Sequence, residues 1–287
     1  MEDALYTSTF SPGQTLNTGI GAAGSPDRGL RCGVLGPLYI GIGESAESAP
    51  VAPKIRTVLA TLAVSADFVV PVSVLMREIW GENPPASGLR TLQTYILNCR
   101  KTLAKLTGLS LAETAQEILV TRPGGYSYKS AAGTLDWQDF RRLSDLGRRA
   151  VEAGEDDRAI HLLDGALSLW RGSVFADVPE GPVLETRRRL FDEWRLGAME
   201  TLAEARLRTG LHQLAIADLA ALTSEFPLHE GLHGQYMRAL ALVGRRALAL
   251  EVFSLLRARL VEEIGIEPGR DLQDLQLAIL NSHSGGT

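Results

Sequence analysis

A set of positions in the second half of this 287-residue chain recurs at a fixed offset. Gly210 and Gly244 lie 34 residues apart, and Ala205/Ala239, Leu214/Leu248, Ala215/Ala249, Leu219/Phe253 and Leu222/Leu256 keep the same spacing. The pattern returns around Gly154 with Ala150, Ala159, Ile160, Leu163 and Ala166. Thirty-four residues is the period of the tetratricopeptide helix-turn-helix unit, in which glycine permits the sharp turn and alanines let paired helices approach closely. From residue 135 onward the chain is therefore expected to be helical almost throughout, with Asp136 capping a helix over residues 137–152 and Pro227 ending one unit. Units of this kind stack into surfaces that bind other proteins. A helical bundle with accidental periodicity is the alternative.

The first half has a different pattern. Over residues 86–106, Leu89, Leu92, Ile96, Cys99, Leu103 and Leu106 recur at spacings of three and four, one face of an α-helix. Arg90, Thr94, Asn98, Lys101 and Lys105 gather on the other side, and no acidic residue lies between Glu82 and Glu113. A helix packed on one face, with donors and no carboxylates on the other, can enter the major groove of DNA. A solvated surface helix is the plainer reading, so its neighbours matter. Residues 30–43 read as two short strands broken at Gly36-Pro37, with Val51 a candidate for a third. Residues 54–64 read as a helix burying Ile55, Val58, Leu59, Leu62 and Ala63, and Phe68-Val69-Val70 as a brief strand. Ser73 is the expected N-cap of a helix over 74–80 that stops at Gly81. Asn83-Pro84-Pro85 forces an extended turn into the basic helix. Gly108 ends that helix, and residues 109–117 read as an irregular or weakly helical insert. Two β-like runs, residues 118–122 and 126–129, flank Pro123-Gly124-Gly125 as a hairpin. A hairpin after a helix-turn-helix is a wing, with Arg122 and Lys129 placed for phosphate or minor-groove contact.

Charge divides along the same line. Residues 30–133 carry ten basic and seven acidic residues, whereas residues 134–287 carry eighteen basic and twenty-four acidic, and all four lysines lie in the former. That asymmetry suits one segment facing phosphate and another facing water or protein. No apolar run is long enough to span a membrane, and Glu2 and Asp3 with no apolar core argue against a signal peptide. Two widely separated cysteines, Cys32 and Cys99, fit a reducing, cytoplasmic setting. Residues 1–29 and 282–287 are expected to be disordered tails.

The order of motifs resembles a known family. Leu35-Gly36-Pro37-Leu38, the basic Lys54 and Arg56, Ile79-Trp80-Gly81, Pro84-Pro85-Ala86, Leu92-Gln93-Thr94-Tyr95-Ile96, Arg100-Lys101-Thr102-Leu103 and Thr121-Arg122-Pro123-Gly124-Gly125-Tyr126 occur in that order. Leu167-Ser168-Leu169-Trp170-Arg171-Gly172, Phe226-Pro227-Leu228 and Glu263-Ile264-Gly265-Ile266-Glu267-Pro268-Gly269 follow. Together they resemble the Streptomyces antibiotic regulatory protein family over nearly the whole chain. The resemblance implies an α+β winged helix-turn-helix of OmpR type over residues 30–133. An all-α tetratricopeptide-like bacterial transcriptional activation domain is implied over 134–281. It further implies an activator of secondary-metabolite genes that binds direct repeats in double-stranded promoter DNA as a side-by-side homodimer. Such a protein recruits RNA polymerase holoenzyme, uses no cofactor and contains no catalytic site.

On that reading Arg90, Thr94, Asn98 and Lys101 face base edges. Lys54, Arg56, Arg100, Lys105 and Arg122 hold phosphates, and Tyr126 belongs to the wing. The family usually has a small polar residue where this chain has Leu97 and a basic one at Asn98. No phosphate-acceptor receiver domain is expected, and no G-x-x-x-x-G-K-[ST] nucleotide loop occurs in the sequence.

Two alternatives come from other classes. One is a helical-repeat interaction scaffold whose winged helix serves protein contact. The other is a zinc hydrolase, since His229-Glu230-Gly231-Leu232-His233 matches H-E-x-x-H with Glu251 downstream. Gly231 and the position just after Pro227 weigh against it. Trp137, Trp170, Phe191 and Trp194 are expected in a core, and Arg187-Arg188-Arg189, set among Glu185, Asp192 and Glu193, as a salt-bridged helix face.

Overall fold

The structure, a computed structural model, describes residues 29–281 apart from Glu44, Ala49 and Pro50. The tail expected over residues 1–29 lies outside them but for Gly29, as does the one over 282–287. Strands β1 (Leu30–Gly33), β2 (Tyr39–Ile42) and β3 (Ser45–Ser48) form an antiparallel meander, broken between β1 and β2 at Gly36-Pro37 as the spacing predicts. The third strand lies before Val51, which packs against the core instead. Helix α1 (Pro53–Val64) opens on proline, whose missing N–H is harmless in a first turn, and buries all five predicted apolar residues. Of the run Phe68-Val69-Val70 only Val70 enters a strand, β4 (Val70–Pro71). Asp67, at φ 68, turns the chain sharply and donates its N–H to the Tyr128 carbonyl at 2.7 Å, which leaves Phe68 exposed.

Helix α2 (Val72–Trp80) starts ahead of the expected residue 74. Pro71, extended at ψ 148, occupies the N-cap, so Ser73 is not the cap. Then follow α3 (Gly88–Thr107), α4 (Leu111–Glu117), β5 (Leu119–Arg122) and β6 (Gly125–Tyr128). The insert expected to be irregular or weakly helical is a regular helix, α4, because Ser110 and Glu113 form a reciprocal capping box. Strands β4, β6 and β5 make a second, antiparallel sheet, the wing. Strand β7 (Gly133–Leu135) returns to pair in parallel with β1 and completes the first sheet in the order β3-β2-β1-β7.

The helical half is joined to this unit by buried carboxylates. Helix α5 (Asp136–Glu152) begins at Asp136 itself, and the Asp136 side chain does not cap it. Its carboxylate accepts the N–H groups of Val34 at 2.9 Å and Leu35 at 3.0 Å, with the Arg171 guanidinium 3.4 Å away. Arg171 also donates to the Pro37 carbonyl and lies over the Tyr39 ring at 4.2 Å. Asp177 accepts the Leu38 N–H at 2.7 Å and pairs with Arg56. Glu78 of α2, 5% exposed, accepts the N–H groups of Gly181, Val183 and Leu184 at 2.7–3.0 Å, capping helix α7 (Pro182–Arg208) from the other half of the chain. One apolar core accordingly runs from Leu30 through the winged helix to Ala205. A second, formed by the end of α7 and all later helices, spans Leu196 to Ile279.

Helices α5 and α6 (Asp156–Leu167), α7 and α8 (His212–Glu225), and α9 (Glu230–Leu242) and α10 (Arg246–Arg259) form three antiparallel pairs, followed by α11 (Arg270–Asn281). The turns repeat atom for atom. Gly154, Gly210 and Gly244 sit at φ 75, 79 and 80, where an L side chain is strained. The next residue's N–H reaches back to the Ala150, Arg206 and Leu240 carbonyls at 2.8–2.9 Å. Ala159, Ala215 and Ala249, five residues after each glycine, are fully buried at the close helix contacts. Trp137 stacks on Phe191, and Phe140 meets Trp170 edge to face, in the first core as expected.

The H-E-x-x-H residues each have a structural task in this frame. His229 caps α9 by accepting the Leu232 N–H through Nδ1, Glu230 accepts the Gly269 N–H at 2.6 Å, and His233 Nδ1 faces the His229 carbonyl at 3.0 Å. Among the described residues no three His, Cys, Asp or Glu side chains are grouped to hold a metal ion, and no helix is long and apolar enough to cross a membrane.

Replacing Glu78 with alanine leaves the N–H groups of Gly181, Val183 and Leu184 without an acceptor, and urea unfolding should show a loss of roughly 2–4 kcal/mol. Unchanged stability would contradict the cross-chain cap. Burial lowers the His233 pKa below its ordinary 6.5, outweighing the bond to the His229 carbonyl that raises it. The unfolded chain thus binds this proton first, so stability is full above 6.5 and falls as pH drops below it. Melting curves between about pH 7.5 and about pH 5.5 should show that slope, and His233→Gln should flatten it.

Candidate nucleic-acid interface

Helices α2 and α3 are joined by a turn in which Gly81, at φ 63, ends the first helix and Pro84-Pro85 leads into the second. They meet at Gly88, where a Cβ would lie 2.4 Å from Cε, the flexible far end of the Met76 side chain. Helix α3 ends where predicted, at Gly108, whose left-handed backbone lets its N–H reach the Ala104 carbonyl. Leu92, Ile96, Cys99 and Leu103 are buried against α1 and the sheet. Burial pushes the Cys99 thiol up to about 12, so it stays neutral as a small core residue. Leu106 is half-buried. Leu89, expected on the packed face, is 51% exposed, because the first turn of α3 follows a segment exposed throughout residues 81–87 and runs past the end of the core.

The opposite face carries Arg90, Thr94, Lys101 and Lys105, all exposed, with Asn98 half-buried beside them. Thr94 donates its hydroxyl to the Arg90 carbonyl at 3.1 Å, which fixes its rotamer and leaves its lone pairs outward. No acidic residue occurs in the helix. Two exposed neighbours complete the face, Gln93 and Leu97. Gln93 carries no charge to mark it in the sequence, and it lies on the flank of the face beside Arg90.

Other predicted contacts have partners within the chain. Arg100 is half-buried, and its Nε and Nη2 donate to the Leu119 carbonyl at 2.9 and 2.8 Å, with Nη2 also on Thr121 Oγ1 at 2.8 Å. Burial lowers its pKa. This fork ties α3 to the first strand of the wing, so Arg100 positions the hairpin where the sequence suggested a phosphate contact. Tyr126, also expected at the interface, is buried in the middle strand of the wing opposite Val70. Arg56 pairs with Asp177 and donates to the Val51 carbonyl, holding the two halves together. Lys54 is exposed with its ammonium 5.4 Å above the Trp80 ring, which itself stacks on Tyr95 of α3. Arg122 is exposed beside the Pro123-Gly124 turn, with Gly124 at φ 79. Gly125 is obligatory next to it, since a Cβ would lie 2.2 Å from the Val70 carbonyl oxygen. Arg188 and Arg189 pair with Glu180, Asp192 and Glu185, the salt-bridged face expected of that basic run.

Comparison with known proteins places this architecture. A family model described as the bacterial transcriptional activator domain matches residues 135–280. Regulatory protein DnrI of Streptomyces peucetius is 42% identical over 89% of this chain and 94% of its own length. Transcriptional regulator RedD of Streptomyces coelicolor is 36% identical over 86% of this chain and 69% of its own. Regulatory protein AfsR of the same organism is 36% identical over 88% of this chain, which spans 24% of that longer protein. Among solved structures, Mycobacterium tuberculosis EmbR, in complex with a low affinity phosphopeptide, superimposes with a TM-score of 0.82 at 31% identity, over 88% of this chain and 65% of that one. The likeness extends through both the winged helix and the helical repeats. With its activation-domain match and its similarity to DnrI along nearly all of that protein, the chain belongs to the Streptomyces antibiotic regulatory protein family of transcriptional activators.

Proposed function

We propose that this protein is a sequence-specific DNA-binding activator of a secondary-metabolite biosynthetic gene cluster, binding direct repeats upstream of promoters as a homodimer and recruiting RNA polymerase holoenzyme. The observation that carries the reading is the two-sided helix α3. One side is spent on the core, and the other offers Arg90, Thr94, Asn98, Lys101 and Lys105 with no carboxylate among them. A helix of this width and polarity fits the major groove, where base edges present donors and acceptors in a distinct order for each pair. Arg90, Thr94, Asn98 and Lys101 contact base edges, while Lys105, Lys54 and Arg122 flank them at phosphates. Arg100 sets the angle of the wing, so that hairpin and helix meet the duplex as one body. The helical repeats face away as a protein-binding surface, which suits polymerase contact and gives the chain no need of a catalytic centre.

Gel shifts on fragments from upstream of neighbouring biosynthetic promoters test this. Replacing Arg90 or Lys101 with alanine should relax preference at one base position and cost about 1–3 kcal/mol. Lys105→Ala should weaken all sequences alike and lower the salt slope by about one. Unchanged promoter binding by both Arg90→Ala and Lys101→Ala would remove the assignment of α3. A protein-contact scaffold would instead retain every fragment weakly and without preference. For Arg100, alanine and lysine should both loosen the wing, because an ammonium cannot fork across the Leu119 carbonyl and Thr121 hydroxyl. Faster proteolysis within the hairpin is the readout.

A further inference from the structure

At about 100° per residue, Arg90, Thr94, Leu97 and Lys101 fall within an arc of about 60° on α3. Leu97 lies at one border of the cationic stripe, beside Arg90, well away from the buried face, and is 42% exposed. The apolar side of the helix is already satisfied by Leu92, Ile96, Cys99 and Leu103. Gln93 is exposed one turn earlier on the same side. Two exposed side chains without charge therefore form one flank of the stripe, next to Arg90.

On the DNA-binding reading above, we infer that Leu97 and Gln93 together select an A·T pair in the major groove. The thymine 5-methyl packs against Leu97, and adenine N6 and N7 are bonded by the Gln93 carboxamide. The 5-methyl is the one apolar group that an unmodified base shows in that groove, and glutamine matches adenine in two places. A G·C pair offers Leu97 no methyl group, and desolvating its N4 amine, O6 and N7 against leucine is a penalty that a small polar residue would not impose. Arg90 and Lys101, beside it, supply attraction that does not distinguish T from its unmethylated counterpart. Leu97 is consequently a specificity-determining residue of this helix.

The test uses the whole chain. A random duplex library is selected with the wild type, with Leu97→Ala and with Gln93→Ala. Alanine at exposed helix positions keeps the fold, which melting curves confirm. The enriched duplex is then remade with deoxyuridine replacing each thymine in turn, removing a single methyl group. The wild type should lose roughly three- to fivefold in affinity at one or two positions. Leu97→Ala should bind the thymine duplex more weakly and be indifferent to the replacement, and Gln93→Ala should lose its preference for A·T at that same pair. An enriched motif whose binding ignores deoxyuridine at every position overturns this inference and leaves the DNA-binding reading intact. So does equal sensitivity to deoxyuridine in wild type and Leu97→Ala. Failure of the wild type to enrich any motif overturns the DNA-binding reading, and this one with it.

Discussion

Carboxylates placed where one half of the chain needs acceptors for the other hold this structure together. Glu78 leaves the winged helix to cap α7, and Asp136 and Asp177 leave the helical half to hold the backbone of residues 34, 35 and 38. Each exchange satisfies N–H groups that would otherwise be buried unpaired, at a cost of roughly 1–3 kcal/mol apiece. At Asp136 burial raises the carboxyl pKa, while the Val34 and Leu35 N–H groups and Arg171 pull it back. The negative charge of Glu78 also meets the positive end of a helix about 40 Å long. Because α2 carries Glu78 on one side and packs on α3 by the other, the candidate reading helix is braced against α7 through α2.

Helix α7 serves both cores. Leu184, Phe191 and Ala198 face the one shared with the winged helix, and Leu196, Ala203 and Leu207 face the one enclosed by the later repeats. A long helix with apolar residues distributed around it has a weak amphipathic signature, yet both sides are occupied. Mechanical continuity follows from the wing through Arg100 to α3, from α3 through α2 to Glu78, and from there along α7 to the last repeat.

What was legible in the sequence was local. The three repeat turns could be placed because glycine, the residue four before it and the alanine five after it interact within a dozen positions. The packed face of α3, its stop at Gly108 and the hairpin around Gly124 follow from periodicity and turn chemistry for the same reason. Helix α4 reads as irregular or only weakly helical because its stability comes from a capping box, a side-chain exchange that hydrophobic spacing does not register. Arg56, Arg100 and Asp136 were given roles by type and position, but their partners lie at Asp177, Leu119 and Val34. Only the fold reveals those pairings, and each removes from solvent a group that looked free in the sequence. Arg90, Thr94, Lys101 and Lys105 kept their exposure because α3 is covered on one side alone.

Strand β7 has a consequence for how the chain can be divided. It supplies the parallel neighbour of β1 with Leu30 opposite Gly133 and Cys32 opposite Leu135, and the next residue is Asp136. A fragment stopped after residue 133 would uncover the edge of β1 and strip Val34 and Leu35 of their acceptor, an invitation to intermolecular strand pairing. Grafting the amino-terminal half onto a foreign effector would therefore have to carry α5, the loop bearing Arg171 and Asp177, and the start of α7 along with it.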